Sequence, residues 1–178
     1  MFGKKVICGH TEENIDVTLE RFPKSECELL AGWVSDPETS KWIYIDCAFS
    51  KEQEENWYDD VTNKENKYIW GIYYGEKLVG VSSLIYVDSI KRNTEIGLMI
   101  GDKSVYKKGI GTLVVKGLVN YAFNELNLEC IYYNAAVENK GSIACAKKNK
   151  FKEYGIQPHT FYRDGKYTNM WMSALIKK

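Results

Sequence analysis

Thr94-Glu95-Ile96-Gly97-Leu98-Met99-Ile100, then Gly101 through Tyr106-Lys107-Lys108, then Gly109-Ile110-Gly111-Thr112, is the stretch that organises this chain. The first seven residues read as a buried strand, the middle as a short polar loop, and the glycine pair as the start of a helix. Leu113, Val114, Leu118, Tyr121 and Ala122 follow at helical spacing. The first amides of a helix have no internal acceptor, and the helix dipole places partial positive charge there. Gly109 and Gly111 let a ligand come close to the backbone, and Lys107 and Lys108 add full charges. Strand, loop and helix start together describe a site for an anion, most naturally a phosphate.

Two familiar phosphate loops do not fit. A Walker-type loop needs Lys-Ser or Lys-Thr after its last glycine, whereas Gly111 is followed by Thr112-Leu113. A dinucleotide fingerprint needs a small residue three places after its second glycine, and Val114 stands there.

With 178 residues the expectation is a single domain spanning 1–178. A formal net charge of zero implies no bulk attraction to nucleic acid. No apolar run approaches the ~20 residues of a membrane span, and Met1 to His10 has no long apolar core of a signal peptide. The five cysteines, Cys8, Cys27, Cys47, Cys130 and Cys145, contain no Cys-x-x-Cys pair. That usage suits a reduced, cytoplasmic protein. Two distant histidines, His10 and His159, argue against a zinc site, and no metal is expected.

Val17 to Arg21 alternates as a strand, paired with Lys4 to Cys8. Ser25 is the expected N-cap of a helix through Leu29, Leu30 and Trp33, broken by Asp36-Pro37. Ser50-Lys51-Glu52-Gln53 is a capping box opening a helix to about Asn63. Lys67 to Tyr74 and Lys77 to Val87 form a hairpin around Gly75-Glu76. After the long helix come a strand from Glu129 to Val137 and a short helix from Asn139 to Lys148. Two further strands follow, Phe151 to Phe161 and Tyr167 to Ile176. The expected order is β, α, α, β, β, β, α, β, α, β, β.

Tyr106-Lys107-Lys108-Gly109-Ile110-Gly111 resembles the pyrophosphate loop Gln/Arg-x-x-Gly-x-Gly/Ala of the GNAT acyltransferases, with Tyr106 at the Gln/Arg place. The element order is similar to that family along nearly the whole chain. Ile96-Gly97, Tyr121-Ala122-Phe123, Val137-Glu138-Asn139-Lys140-Gly141-Ser142 and Phe161-Tyr162-Arg163-Asp164-Gly165-Lys166-Tyr167 look like the branch of ribosomal-protein alanine acetyltransferases and spermidine acetyltransferases. The resemblance implies a mixed α/β fold. Its central, mostly antiparallel sheet is splayed between two parallel strands and flanked by helices. Two departures stand out: Ala146 where a tyrosine general acid is usual, and Lys150 where a glycine usually precedes Phe151.

The resemblance also implies acetyl-CoA as cosubstrate. Its pantetheine arm would use backbone groups of Leu98, Met99 and Ile100. Its pyrophosphate would sit on Tyr106, Lys107, Lys108, Gly109, Ile110, Gly111 and Thr112. Asn139, the N-cap of the short helix, and Asn134, a polar residue on a buried strand, are further candidates for the arm. Tyr132 and Tyr133 read as core and surface aromatics.

Acyl transfer to an amine needs a base for the nitrogen and help for the departing thiolate. Glu95, a charge inside an apolar strand, is the candidate base; the alternative is a structural carboxylate paired with Arg92. With Ala146 in the tyrosine place, Ser142 is the candidate donor to sulfur; the alternative is a capping serine.

Trp33, Trp42, Tyr44, Trp57 and Tyr58 are candidates to wall the acceptor site. Between Ser50 and Asn66 six acids face two lysines, a net of −4 suited to a cationic acceptor. From Lys140 to Lys178 nine basic residues face two acids, a net of +7 suited to an anionic cosubstrate. The leading acceptor is a protein or peptide N-terminal α-amine. A polyamine such as spermidine, or another small amine, is the alternative. A catalytically silent CoA-binding module is the alternative of another class. A homodimer is compatible with these features, and no nucleic-acid or membrane partner is expected.

Overall fold

A computed structural model describes residues 1–43, 48–163 and 165–178. Eight strands form one sheet in the order β1-β2-β3-β4-β5-β6-β8-β7. They are β1 (Val6–His10), β2 (Asp16–Glu20), β3 (Tyr68–Tyr74), β4 (Lys77–Asp88), β5 (Asn93–Ile100), β6 (Cys130–Ala136), β7 (Lys152–Arg163) and β8 (Lys166–Ile176). The helices are α1 (Cys27–Ser35), α2 (Pro37–Ser40), α3 (Lys51–Thr62), α4 (Ile110–Asn124) and α5 (Lys140–Lys148). Every neighbouring pair of strands is antiparallel except β5 and β6.

Strand alternation divides the chemistry between two faces. Ile96, Ile131, Tyr133 and Ala135 point into the larger core, with Ile110, Val114, Val115, Leu118 and Ala122 of α4. Met99 points the other way, into a second core with Phe22, Leu30, Val34 and Tyr58 of the α1–α3 side. Each large aliphatic side chain so buried contributes ~1.5–3 kcal/mol.

The local signals mostly act as read. The capping box at Ser50 is complete: its Oγ accepts from the Gln53 amide at 3.2 Å, and the Gln53 Oε1 accepts from the Ser50 amide at 2.8 Å. Asp36 ends α1 and caps α2, accepting from the Glu38 and Thr39 amides. Ser25 does not cap; it lies inside a 3-10 turn over 24–26, and α1 starts at Cys27 behind Glu26 without a side-chain cap. Pro23 precedes that turn in extended conformation and sets the chain's entry. Lys150 sits at φ +68, so the turn after α5 keeps the left-handed form that glycine favours, with lysine in the strained place. Tyr44, Cys47 and Asp164 lie outside the described residues. The four described cysteines are free thiols. No described helix is long and apolar enough to cross a membrane.

The outer strand β7 is mostly exposed, and its pairing with β8 is broken by bulges between Glu153 and Gly155 and between Gln157 and Phe161. Pro158 lies in the second bulge. Bulges and proline are devices that discourage edge-to-edge pairing.

Gly80 shows how tightly β4 and β5 approach beside the site. A Cβ there would fall against the Met99 carbonyl oxygen and 3.0 Å from Ile100 Cα, both backbone atoms that cannot step aside. Gly80→Ala is therefore expected to destabilise the fold by ~1–3 kcal/mol, measured by denaturant unfolding. An unchanged midpoint would contradict this strand spacing.

Candidate active site

The parallel pairing of β5 with β6 is short. Asn93 faces Cys130, Thr94 faces Ile131, and Glu95 faces Tyr132; no ladder continues to Ile100 or Ala136. Beyond Glu95 the two strands diverge, and the sheet has an opening between Ile96–Ile100 and Tyr133–Ala136. The backbone groups of Leu98 and Ile100, which face away from β4, are thereby left out of the β5–β6 ladder, whereas the Met99 carbonyl is turned towards Gly80 of β4.

Glu95 stands at the point of divergence. It shares a sheet face with Tyr132 across the pair and with Cys130 and Asn134 along β6. Burial pushes its carboxyl up from the ordinary value, while the Asn134 side chain beside it pulls the other way. Arg92 is not its partner: Arg92 bonds Glu129 at 2.7 Å and the carbonyl of Asn127. The structural pairing considered from sequence is therefore absent. Asn134 Oδ1 is buried without a hydrogen bond among the described residues. Tyr154 of β7 completes this face. Its ring meets Tyr132 edge-on at 6.2 Å, and its phenol is raised first by burial and then by the charge of Glu95.

Ser142 lies on the opposite face, in the first turn of α5. Its amide donates to Asn139 Oδ1 at 3.1 Å, so Asn139 does cap this helix, and its Nδ2 is the donor left to it. The Ser142 Oγ is 2.8 Å from the hydroxyl of Tyr133. Tyr133 is the residue that sequence reasoning missed. Its place on the strand, in phase with Ile131 and Ala135, put it on the buried side, where a phenol must find a partner. Ala146, in the usual tyrosine place, is fully buried in the same core. A phenol is thus present, but it arrives from β6.

The anion loop is built from two left-handed residues, Lys107 at φ +65 and Gly109 at φ +82. Such turns gather successive N–H groups into an anion-binding nest. Among the described residues the amides of Lys107, Lys108, Gly109, Ile110 and Gly111 donate no backbone hydrogen bond. The Thr112 amide is already used, donating to the Gly109 carbonyl at 3.0 Å, so the cradle ends one residue earlier than the resemblance implies. Lys108 is committed elsewhere: its ammonium bonds Glu13 at 2.9 Å and lies over the Tyr74 ring. Lys107 is the loop lysine left exposed to a ligand. Tyr106 donates to the Ile100 carbonyl at 3.1 Å and ties the loop to the end of β5. Gly111 is explained by packing, since a Cβ there would lie 3.2 Å from Cys145 Sγ of α5; at Gly109 nothing lies within 4 Å.

Two of the acids in the stretch over α3 are already paired with lysines. α3 packs on α1, Asp59 pairs with Lys24, and Asp60 pairs with Lys64. Three of the described candidate acceptor aromatics are engaged with other neighbours. Tyr58 is buried and donates to the Phe22 carbonyl, Trp57 stacks with Lys67, and Trp42 with Lys41. Trp33 lines a cavity of about 420 Å³ against Gly101 and Asp102. That cavity is at the far end of β5, roughly 20 Å along the strand from Glu95.

A pantetheine arm fits this arrangement: an opening between strands, unladdered backbone on β5, an orphaned acceptor on Asn134, and free amides in the loop beyond. Comparison with known proteins shows the family. Residues 16–152 match the acetyltransferase (GNAT) domain family. The chain is 34% identical over 108 residues to YdaF of Bacillus subtilis strain 168, whose name assigns it provisionally to the ribosomal N-acetyltransferases; 61% of this chain and 58% of YdaF are covered. It is 30% identical over 95 residues to the spermidine N(1)-acetyltransferase of Escherichia coli K12, covering 53% and 50%. These alignments span about half the length of either relative. The crystal structure of spermidine N-acetyltransferase from Vibrio cholerae, in complex with CoA and spermine, superposes with a TM-score of 0.84. It is 20% identical and covers 90% of this chain and 95% of that one, a likeness of fold.

Proposed function

The chain belongs to the GNAT acetyltransferase family, and on that premise we propose that it moves an acetyl group from acetyl-CoA to the α-amine of a protein or peptide N-terminus. The observation that carries the reading is the opening after Glu95 and Tyr132, with a raised carboxyl on one face and a hydroxyl pair on the other. Acetyl-CoA supplies the thioester. The loop amides of 107–111 and Lys107 hold its pyrophosphate, and Leu98 to Ile100, Asn134 and Asn139 hold its arm. Glu95 takes a proton from the amine nitrogen on the α1–α3 side. Ser142 supports the sulfur on the α4–α5 side. Binding the two reactants from opposite faces keeps base and leaving-group donor from neutralising each other.

An α-amine suits the Glu95 face better than a polyamine. Holding a polyamine's other ammonium groups calls for further carboxylates. The β6 and β7 residues around Glu95, namely Cys130, Tyr132, Asn134 and Tyr154, carry none; on β4, Ile85 stands opposite Glu95, and Asp88, opposite Asn93, accepts from the Ile90 and Lys91 amides. The same row ends on Lys152, reached through Tyr132 and Ala174, which is itself cationic. Of the six acids behind the net −4 of the α3 region, the sequence argument for a cationic acceptor, Asp59 and Asp60 are already paired with Lys24 and Lys64.

The test is thiol release from acetyl-CoA with a panel of amines: short peptides with free N-termini, spermidine, and an amino sugar. Peptides are expected to give the highest catalytic efficiency. Efficient turnover of spermidine with idle peptides would overturn the choice of acceptor. Tight CoA binding with no thiol release from any amine would instead identify a silent CoA-binding module.

A further inference from the structure

Tyr133 is 3% exposed, and its ring meets Phe151 edge-on at 5.7 Å between centroids. Its hydroxyl has one neighbour able to take a hydrogen bond among the contacts the structure shows, Ser142 Oγ at 2.8 Å. A buried O–H without an acceptor is costly, so the phenol is the donor of this pair and serine the acceptor. Burial pushes the phenol up to about 12, so it keeps its proton across the working range. A serine hydroxyl has one hydrogen and two lone pairs. One lone pair is taken by Tyr133, and the helix start is held by the Ser142 amide bond to Asn139. The serine hydrogen must then turn away from the phenol.

We propose that Tyr133 is a positioning residue that locks the Ser142 hydroxyl so that its hydrogen faces the departing sulfur. The inference rests on the acetyl-transfer reading above. As the nitrogen bonds to the acetyl carbon, the carbon–sulfur bond breaks and its electron pair stays on sulfur. Ser142 donates a hydrogen bond to that thiolate and keeps its own proton. The proton lost by nitrogen goes to Glu95 and on to solvent, and solvent returns one to sulfur. Without Tyr133 the same serine can turn its hydrogen to other acceptors, and the thiolate leaves with less support. The sequence change at Ala146 is thereby answered by two hydroxyls in series, the second of which never touches substrate.

A double-mutant cycle tests this, with turnover measured on acetyl-CoA and a peptide acceptor for the parent, Tyr133→Phe, Ser142→Ala and the double variant. Phenylalanine preserves the ring contact with Phe151 and removes only the hydroxyl. Tyr133→Phe is expected to lower kcat about tenfold, with the KM for acetyl-CoA within about twofold. In the Ser142→Ala background the same change is expected to do nothing. Equal fractional losses in both backgrounds would reduce Tyr133 to a core residue and overturn the proposal. A larger loss in Tyr133→Phe than in Ser142→Ala would also overturn it, by making the phenol the donor itself. Tyr133→Leu carries the same cycle if the phenylalanine variant melts early. A parent that binds CoA but transfers acetyl to no amine would remove the acetyl-transfer reading and this inference with it. A parent that turns over confines any failure to Tyr133.

Discussion

Replacing Glu95 by glutamine is expected to lower turnover ~10²–10⁴-fold at pH 7, the usual worth of a general base. The amide keeps the shape of the carboxyl and its contact with Asn134, and cannot take a proton. Raising the pH should restore much of the loss, because the acceptor then arrives already deprotonated. With an α-amine, whose pKa is ~7.7–8.0, recovery should be nearly complete by about pH 8.5. With an alkyl amine near ~10.4 it should still be climbing at about pH 9.5. The same variant should be more stable than the parent at neutral pH. Burial raises the folded-state pKa of Glu95, so the folded protein binds this proton more tightly than the unfolded chain. Its contribution therefore falls as pH rises from the ordinary ~4.3 of glutamate through the raised folded value. The gain in melting temperature should be present at pH 7 and vanish below about pH 4. Parallel pH–rate profiles for parent and variant would remove Glu95 as the base. A glutamine variant less stable at pH 7 would mean that its charge is structurally satisfied.

Gly109→Val is expected to weaken CoA binding by at least ~tenfold, or ~1.4 kcal/mol, in a calorimetric titration. Gly109 holds φ +82, a conformation that a β-branched residue resists strongly. Its Cβ position is open, so the substitution disturbs the turn without meeting a neighbour. Once the turn relaxes, the amides of 107–111 no longer converge on one anion. Gly111 is the less informative position, because a side chain there first strikes Cys145 and separates α4 from α5. Pantetheine provides the control. It carries the arm without the pyrophosphate, so its weaker binding should be the same in parent and variant. If Gly109→Val lost affinity for both to the same degree, the glycine would be serving the fold and the anion would sit elsewhere.

What the linear chain determined by itself is local. The strand at Thr94–Ile100, the hairpin at Gly75-Glu76, the capping box at Ser50 and the helix start at Gly109 each depend on residues within a few places of one another. Backbone sterics and near-neighbour hydrogen bonds decide such features before any distant contact forms. Even so, Ser25 fails as a cap, because the turn that follows Pro23 is selected by how α1 must dock on Phe22 and Met99. Which side chains meet across the fold was beyond the sequence. That Lys108 bonds Glu13, that Arg92 bonds Glu129 and leaves Glu95 alone, and that Tyr133 meets Ser142 all join residues on different elements. The opening was implied by the family resemblance and not by any local signal. Its strands are separated in sequence by a loop and α4, and the parallel ladder between them stops at Tyr132. Strand spacing and side-chain direction are set when the sheet closes and the helices settle on its two faces. Composition can announce a carboxylate, a serine and a phenol; only packing decides which of them share a face and which stand across the gap.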